Sequence, residues 1–131
     1  VNLKIKYREP FRPFAPSVMK EHADKYFELV GDPRFMLYTV DAKEKAKKEI
    51  PAVVHIDNTS RVQVVDKESN PKYWSLIDKF REITDVPVIL NTSFNVKGEP
   101  IVCTPQEALR CFSATGLDIL YLQNYRITKT D

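Results

Sequence analysis

Apolar positions change their period along the chain, and the changes mark out its elements. Met19, Ala23, Tyr26, Phe27 and Val30 recur at the three- and four-residue spacing of one helix face, with Gly31 beyond as a stop, so residues 19–30 read as a helix. Ahead of it, "FRPFAPSVM" (11–19) alternates Pro13 and Pro16 with aromatics. Proline has no amide to give a central strand, so this stretch reads as an extended or edge segment. "RFMLYTV" (34–40) reads as a strand, and "DAKEKAKKE" (41–49), with almost no apolar face, as a surface loop or short helix. "AVVHI" (52–56) and "RVQVV" (61–65) flank "DNTS" and predict strand, turn and strand.

The second half is better punctuated. Asn70-Pro71 places a capping side chain before a proline at the first helical position, and Tyr73, Leu76, Ile77, Phe80 and Ile83 supply the core stripe of the helix that follows. "PVIL" (87–90) is a strand, and "EPIVC" (99–103) another after the Gly98 turn. "TPQE" (104–107) is a capping box opening a helix that turns Ala108, Leu109 and Phe112 inward and stops at Gly116. "LDILYL" (117–122) closes the chain as a strand. Strands alternate with three helices, and several neighbouring strands are joined by turns too short for a parallel crossover. The fold class is therefore α/β with a mixed sheet, and residues 1–131 are expected to form a single domain.

Composition narrows the function classes. With 43% hydrophobic residues the chain can build a core. No apolar run approaches the roughly 18 residues of a membrane span. The start, "VNLKIKYREPF", is basic without the apolar run of a leader, and it lacks an initiating Met, so a piece of a longer protein is expected. Cys103 and Cys111 match no zinc spacing and read as buried thiols, which fits a cytoplasmic protein. A net charge of +2 does not argue for nucleic acid. The charge is uneven, however: Lys4, Lys6, Arg8, Arg12 and Lys20 face only Glu9 in the first twenty residues, as an anion site or a solvated basic end.

Glycine occurs at 31, 98 and 116 alone, so no glycine-rich phosphate loop exists, and any bound phosphate needs Lys and Arg side chains. His22 lies on a helix edge. His55, two residues before Asp57, offers either two metal ligands or a core histidine satisfied by a neighbour. No nucleophile with an adjacent base is evident. What remains is Lys6-Tyr7-Arg8, a lone Arg61, and the cluster Asn91, Thr92, Ser93 and Asn95 that ends the strand in "VILNTSFNVKGEPIV" (88–102). Arg61 is a surface ion pair or a cationic site residue; Ser93-Phe94-Asn95 is turn chemistry or a ligand loop.

Four stretches, "KYREPFRPFAPS", "VVHIDNTSRVQVV", "PVILNTSFNVKGEPIV" and "TPQEALRCFSATGLDILYL", together resemble the C-terminal domain of carbamoyltransferases of the nodulation NodU and antibiotic-carbamoylation type. The resemblance implies a YrdC-like twisted mixed sheet with flanking helices. It implies a Lys-x-Arg pair at Lys6 and Arg8 and a Ser-x-Asn pair at Ser93 and Asn95. It also implies a reaction: ATP, carried with Mg2+, and carbamoyl phosphate yield carbamoyl adenylate, and an N-terminal actin/hexokinase-like domain of the parent chain passes the carbamoyl group to an acceptor hydroxyl. Lys6, Arg61 and Ser93 are then the expected catalytic residues, and Lys6, Arg8, Arg12, Arg61, Ser93 and Asn95 the nucleotide-binding ones. The family carries a Gly-Pro-Arg-Ala-Leu-Gly type segment upstream of Lys-x-Arg that this sequence does not contain, so one arginine of the site is expected outside it. RNA binding and a non-catalytic docking role are the competing readings.

Overall fold

A computed structural model describes residues 1–130, which divide into two compact units, Pro13–Thr92 and Val1–Arg12 with the residues from Ser93 onward. The central unit, Pro13–Thr92, is built on a three-stranded mixed sheet of β1 (Ala15–Met19), β5 (Gln63–Val65) and β6 (Val88–Asn91), with β1 in the middle, parallel to β5 and antiparallel to β6. The proline-rich stretch, expected as an extended or edge segment, is extended but forms the central strand and not an edge. Pro16 is tolerated there for a geometric reason. The Met19 amide donates to the Pro87 carbonyl (3.2 Å), which makes 17/89 and 15/91 the bonded pairs with β6 and turns residue 16 away from that strand. On its other side the ladder with β5 begins only at Ser17↔Gln63, so the missing amide breaks no rung.

One face of this sheet packs Val18, Val64 and Val88 against Tyr26, Phe27, Val40, Ala42, Ala46 and Val62. The other face, under α3 (Pro71–Thr84), packs Met19 and Val65 against Ile77, with Tyr73, Trp74 and Ile89 beside them. A second, antiparallel sheet holds β2 (Phe27–Glu28), β3 (Val40–Ala42) and β4 (Thr59–Ser60), in that order. The α/β class with a mixed sheet is as expected; several elements are not.

The helix expected over 19–30 is one turn, α1 (Lys20–Ala23). Met19 pairs with Val65 as the last rung of β1, the Tyr26 amide closes a turn onto the Ala23 carbonyl (3.0 Å), and Phe27 pairs with Ala42. Ala23, Tyr26 and Phe27 are still buried, but by sheet pairing rather than a helix face, and Val30 is exposed. Residues 34–40 do not form a strand. Pro33–Phe35 is a 3-10 turn, Met36 is left-handed (φ 58°), and pairing starts at Val40. "AVVHI" holds a 3-10 turn, Pro51–Val53, and because β4 and β5 enter different sheets no hairpin forms there. The charged stretch carries the short helix α2 (Glu44–Glu49).

α3 starts as predicted, with the Asn70 side chain accepting from the Tyr73 amide. Of its expected stripe, however, only Ile77 is fully buried; Leu76, Phe80 and Ile83 are 58%, 40% and 85% exposed. A sheet three strands wide covers one row of helix positions and leaves that flank open.

In the other unit, α4 (Pro105–Ser113) carries the predicted capping box between Thr104 and Glu107. Ala108 and Phe112 pack with Leu120 of β7 (Ile119–Leu122), while Leu109 is exposed. "EPIVC" is not a strand: the Glu107 carboxylate accepts from the Cys103 and Thr104 amides, so that backbone caps a helix instead of joining a ladder. Cys111 is buried as expected, but Cys103 is exposed. An unforeseen strand, β8 (Tyr125–Thr128), pairs with β7 around left-handed Gln123 (φ 53°).

The exposed flank of α3 gives a direct test. Ile77→Ala is expected to cost about 2–5 kcal/mol by emptying a closed site, whereas Ile83→Ala stays within ~0.5 kcal/mol. Denaturant unfolding of both variants measures the difference.

Candidate functional site

The basic start of the chain does not run extended. Asn2–Lys6 winds through a single π-turn, with the Lys6 amide donating to the Val1 carbonyl (3.1 Å), and Tyr7 reverses the chain in left-handed geometry (φ 49°). Buried Asn2 holds the loop closed. Its side-chain amide donates to the carbonyls of Pro10 (3.0 Å) and Arg12 (2.8 Å), and its oxygen accepts from Arg8 Nε (2.8 Å). The loop is tied to the rest of its unit through the Lys6 carbonyl, which accepts from the Lys97 amide (3.1 Å), and the Lys4 carbonyl, which accepts from the Gly116 amide (3.0 Å). A Cβ on residue 116 would stand 3.0 Å from that Lys4 oxygen, so glycine permits the approach.

This folding swings the Lys6 side chain inward. Only 4% exposed, its ammonium meets four oxygens: the Ser93 carbonyl (2.7 Å) and Oγ (3.3 Å), and the Asn95 carbonyl (2.5 Å) and Oδ1 (2.7 Å). Phe94 between them packs into the α4–β7 core, and the Val102 amide donates to its carbonyl (3.0 Å), so Ser93 and Asn95 are held on either side of an anchored residue. Ser93 Oγ donates to Asn95 Oδ1 (2.6 Å), and Asn95 Nδ2 donates to the Glu99 carbonyl (2.8 Å). The Ser93 hydroxyl is engaged with an amide and not with a base, which is not the arrangement of an activated nucleophile.

All four oxygens around Lys6 are neutral, and no carboxylate pairs with it among the described residues. The charge is therefore solvated by dipoles but not cancelled. Burial, then the Arg8 and Arg12 guanidiniums, push the Lys6 pKa below the ordinary lysine value. Burial and Arg12 lower Arg8 in the same way. Burial first, and Glu99 next, push the Cys111 thiol up, against the nearby Lys6 ammonium. The one acidic residue of the loop, Glu9, is committed to Lys97 (2.9 Å), which holds its carboxyl low, and reaches Arg12 only at 3.8 Å. The result is a patch of positive field lined with neutral hydrogen-bonding groups, suited to an anion.

Of the residues singled out from sequence, Lys6, Ser93 and Asn95 converge, and Arg8 and Arg12 stand on the same loop. Arg61 belongs to the central unit, as an exposed residue between β4 and β5. Asn91 also lies there and turns onto the sheet: its Nδ2 donates to Gln63 Oε1 (2.8 Å), which also accepts from Ser17 Oγ (2.7 Å), and Tyr73 Oη donates to Ser17 Oγ (2.9 Å). The polar cluster at 91–95 thus serves two purposes. His55 and Asp57 form a turn around Thr59, with His55 Nδ1 3.1 Å and Asp57 Oδ1 2.8 Å from its hydroxyl, and among the described residues no three His, Cys, Asp or Glu side chains are grouped to hold a metal. Sequence reasoning missed Asn2 and Lys97. Nothing marks Asn2 in the sequence, because its role exists only once the chain bends back on it.

A family model described as carbamoyltransferase C-terminus matches residues 1–129. An uncharacterized protein of Synechocystis is 45% identical over 99% of this chain and 24% of its own length. Nodulation protein NolNO of Sinorhizobium fredii is 42% identical over 98% of the chain and 19% of its own length. Nodulation protein U of Rhizobium tropici is 32% identical over 82% of the chain and 18% of its own length. The chain thus spans about a fifth to a quarter of the curated relatives it matches.

Arg8→Met is expected to raise the pH at which Lys6 titrates without restoring the ordinary value, since burial is the larger cause. A folded-state value below the unfolded one means that protonated Lys6 opposes folding at neutral pH. Stability then rises with pH between the lowered value and the ordinary one. Side-chain NMR titration of Lys6 in both proteins reads the shift.

Proposed function

Because this chain belongs to the carbamoyltransferase C-terminus family, we propose that it is the carbamoyl-activating, YrdC-like domain of a carbamoyltransferase. It would turn carbamoyl phosphate, ATP and water into carbamoyl adenylate, pyrophosphate and phosphate. An N-terminal actin/hexokinase-like domain of the parent polypeptide would then transfer the carbamoyl group to an acceptor hydroxyl.

The observation that carries this reading is the buried Lys6 ammonium, held by neutral oxygens only and pressed by Arg8 and Arg12. An anionic phosphate oxygen is a better partner for that charge than Ser93 Oγ at 3.3 Å, the longest of its contacts. A charge-assisted bond contributes about 1.5–3 kcal/mol. Arg8 and Arg12 would take further phosphate oxygens. Ser93 and Asn95 would hold the neutral, planar carbamoyl group, for which they offer donors and acceptors without adding negative charge. Arg61 is assigned to the developing phosphate charge through the family resemblance. Mg2+ would come with the nucleotide phosphates, since the described residues build no carboxylate cage for it. No helix among the described residues is long and apolar enough to cross a membrane; the proposed setting is the cytoplasm, where ATP is available.

In the full-length parent, Arg61→Ala and Lys6→Met are expected to lower carbamoyl-phosphate-dependent release of pyrophosphate from ATP by roughly 10²–10³-fold, and Ser93→Ala by less. Arg61 is exposed, so its variant should melt with the native protein. Unchanged turnover in all three variants would overturn the assignment.

A further inference from the structure

The turn that leads into Arg61 holds a histidine that the proposed chemistry leaves unused. Its backbone is fixed at several points. The His55 amide donates to the Thr59 carbonyl (2.8 Å), the Asn58 amide to the His55 carbonyl (3.0 Å), and the Ala42 amide to the Asn58 carbonyl (2.8 Å). Buried Ser60 Oγ donates to the Val53 carbonyl (2.7 Å). Asn58 reverses the chain in left-handed geometry (φ 63°), which asparagine tolerates better than most residues.

The side chains of this turn form a directional series. Asp57 Oδ1 accepts from the Thr59 hydroxyl (2.8 Å) and amide (3.0 Å), and these bonds hold the Asp57 carboxyl below the usual carboxylate range. Asp57 is thus ionised and can only accept. A hydroxyl has one proton to give. Thr59 gives it to the carboxylate, so its oxygen can only accept from His55 Nδ1, 3.1 Å away. The imidazole proton therefore sits on Nδ1, and in the neutral ring Nε2 keeps a lone pair. The ring is half-buried, and among the described residues of the central unit its hydrogen bond is the one to Thr59. Arg61 stands close by. Ser60 and Val62 are 0% exposed, so Thr59 and Arg61, which alternate with them, face the other way together, about 7 Å apart along the chain. One fixed turn presents a cation and a neutral proton acceptor side by side.

We infer that His55 Nε2 is the base that takes a proton from the water consumed in the proposed reaction. The inference rests on that functional reading. The water oxygen bonds to the carbamoyl carbon, the bond from that carbon to the phosphate oxygen breaks, and its electron pair leaves on the phosphate, whose charge Arg61 meets. One water proton passes to Nε2 and the other to the departing phosphate, so carbamate remains for adenylation. The imidazolium that forms stays bonded through Thr59 to the Asp57 carboxylate. Thr59 and Asp57 are positioning residues: with the proton on Nε2 instead, the ring would offer the water a donor and could not accept from it.

Two measurements test this. In this chain, 15N NMR of the His55 ring is expected to show the Nδ1–H tautomer, and Thr59→Val, which removes the bond that selects it, to move the ring toward Nε2–H. In the full-length parent, His55→Gln is expected to lower kcat for carbamoyl-phosphate-dependent release of pyrophosphate from ATP by roughly 10²–10⁴-fold, with KM for carbamoyl phosphate little changed. Thr59→Val should lower kcat by a smaller factor, and it decides the point together with the tautomer should His55→Gln fail to fold. An Nε2–H ring in the native chain, or native kcat in His55→Gln or Thr59→Val, would overturn the inference. A native parent that releases no pyrophosphate would overturn the functional reading and this role with it.

Discussion

A single ammonium group organises the unit that carries the candidate site. Lys6 Nζ bonds to residues 87 and 89 positions away, and with the Lys97 contacts to the Lys6 carbonyl and Glu9 it fastens the start of the chain to the loop after β6. Burying a lysine without a carboxylate is expensive in the folded protein. The oxygens of Ser93 and Asn95 offset part of that cost and leave the charge uncancelled. The surrounding features follow from this demand. Asn2 bends the first twelve residues so that Lys6 turns inward, Phe94 pins the loop that supplies the oxygens, and Gly116 lets the Lys4 backbone come close. A group that is stable but electrostatically incomplete is a natural receptor for an anion, which is why the proposed chemistry centres on phosphate.

The central unit solves a different problem, that of burying two faces of a narrow sheet. Its α3-facing side is divided. Met19, Val65 and Ile89 meet Ile77 at one end, while Ser17, Gln63 and Asn91 form a hydrogen-bonded row with Tyr73 at the other. Each of those polar groups has a partner, so the row ends an apolar strand without leaving a buried dipole unpaired. Asn91, at the end of β6, therefore belongs to the sheet, while Ser93, two residues on, belongs to the Lys6 cluster.

Local chemistry was legible in the sequence wherever it decides the outcome within a few residues. The caps at Asn70 and Thr104, the prolines that follow them, and the uninterrupted apolar "PVIL" led to α3, α4 and β6. The pairing of Lys6 with Ser93 and Asn95 was approached through the family resemblance, and the geometry accounts for it: two short polar motifs far apart in sequence are joined by one buried charge.

What the sequence alone could not decide was which of two periodicities an apolar run would obey. Met19 to Val30 fits a helix, yet Met19 is claimed by Val65 and Phe27 by Ala42, and long-range pairing outweighs a local pattern when most of the same residues are buried either way. Pro16 marked an edge by its chemistry but is central, because its missing amide happens to face a gap in the ladder. Leu76, Phe80 and Ile83 carried the signature of a core stripe and stand in solvent, because burial depends on how wide a sheet lies beneath the helix, and strand count is a property of the assembled fold. The sequence by itself determined where helices begin and which side chains could carry charge and hydrogen bonds. The tertiary structure decided which of them meet, since contacts across some ninety residues depend on chain reversals that no short window contains.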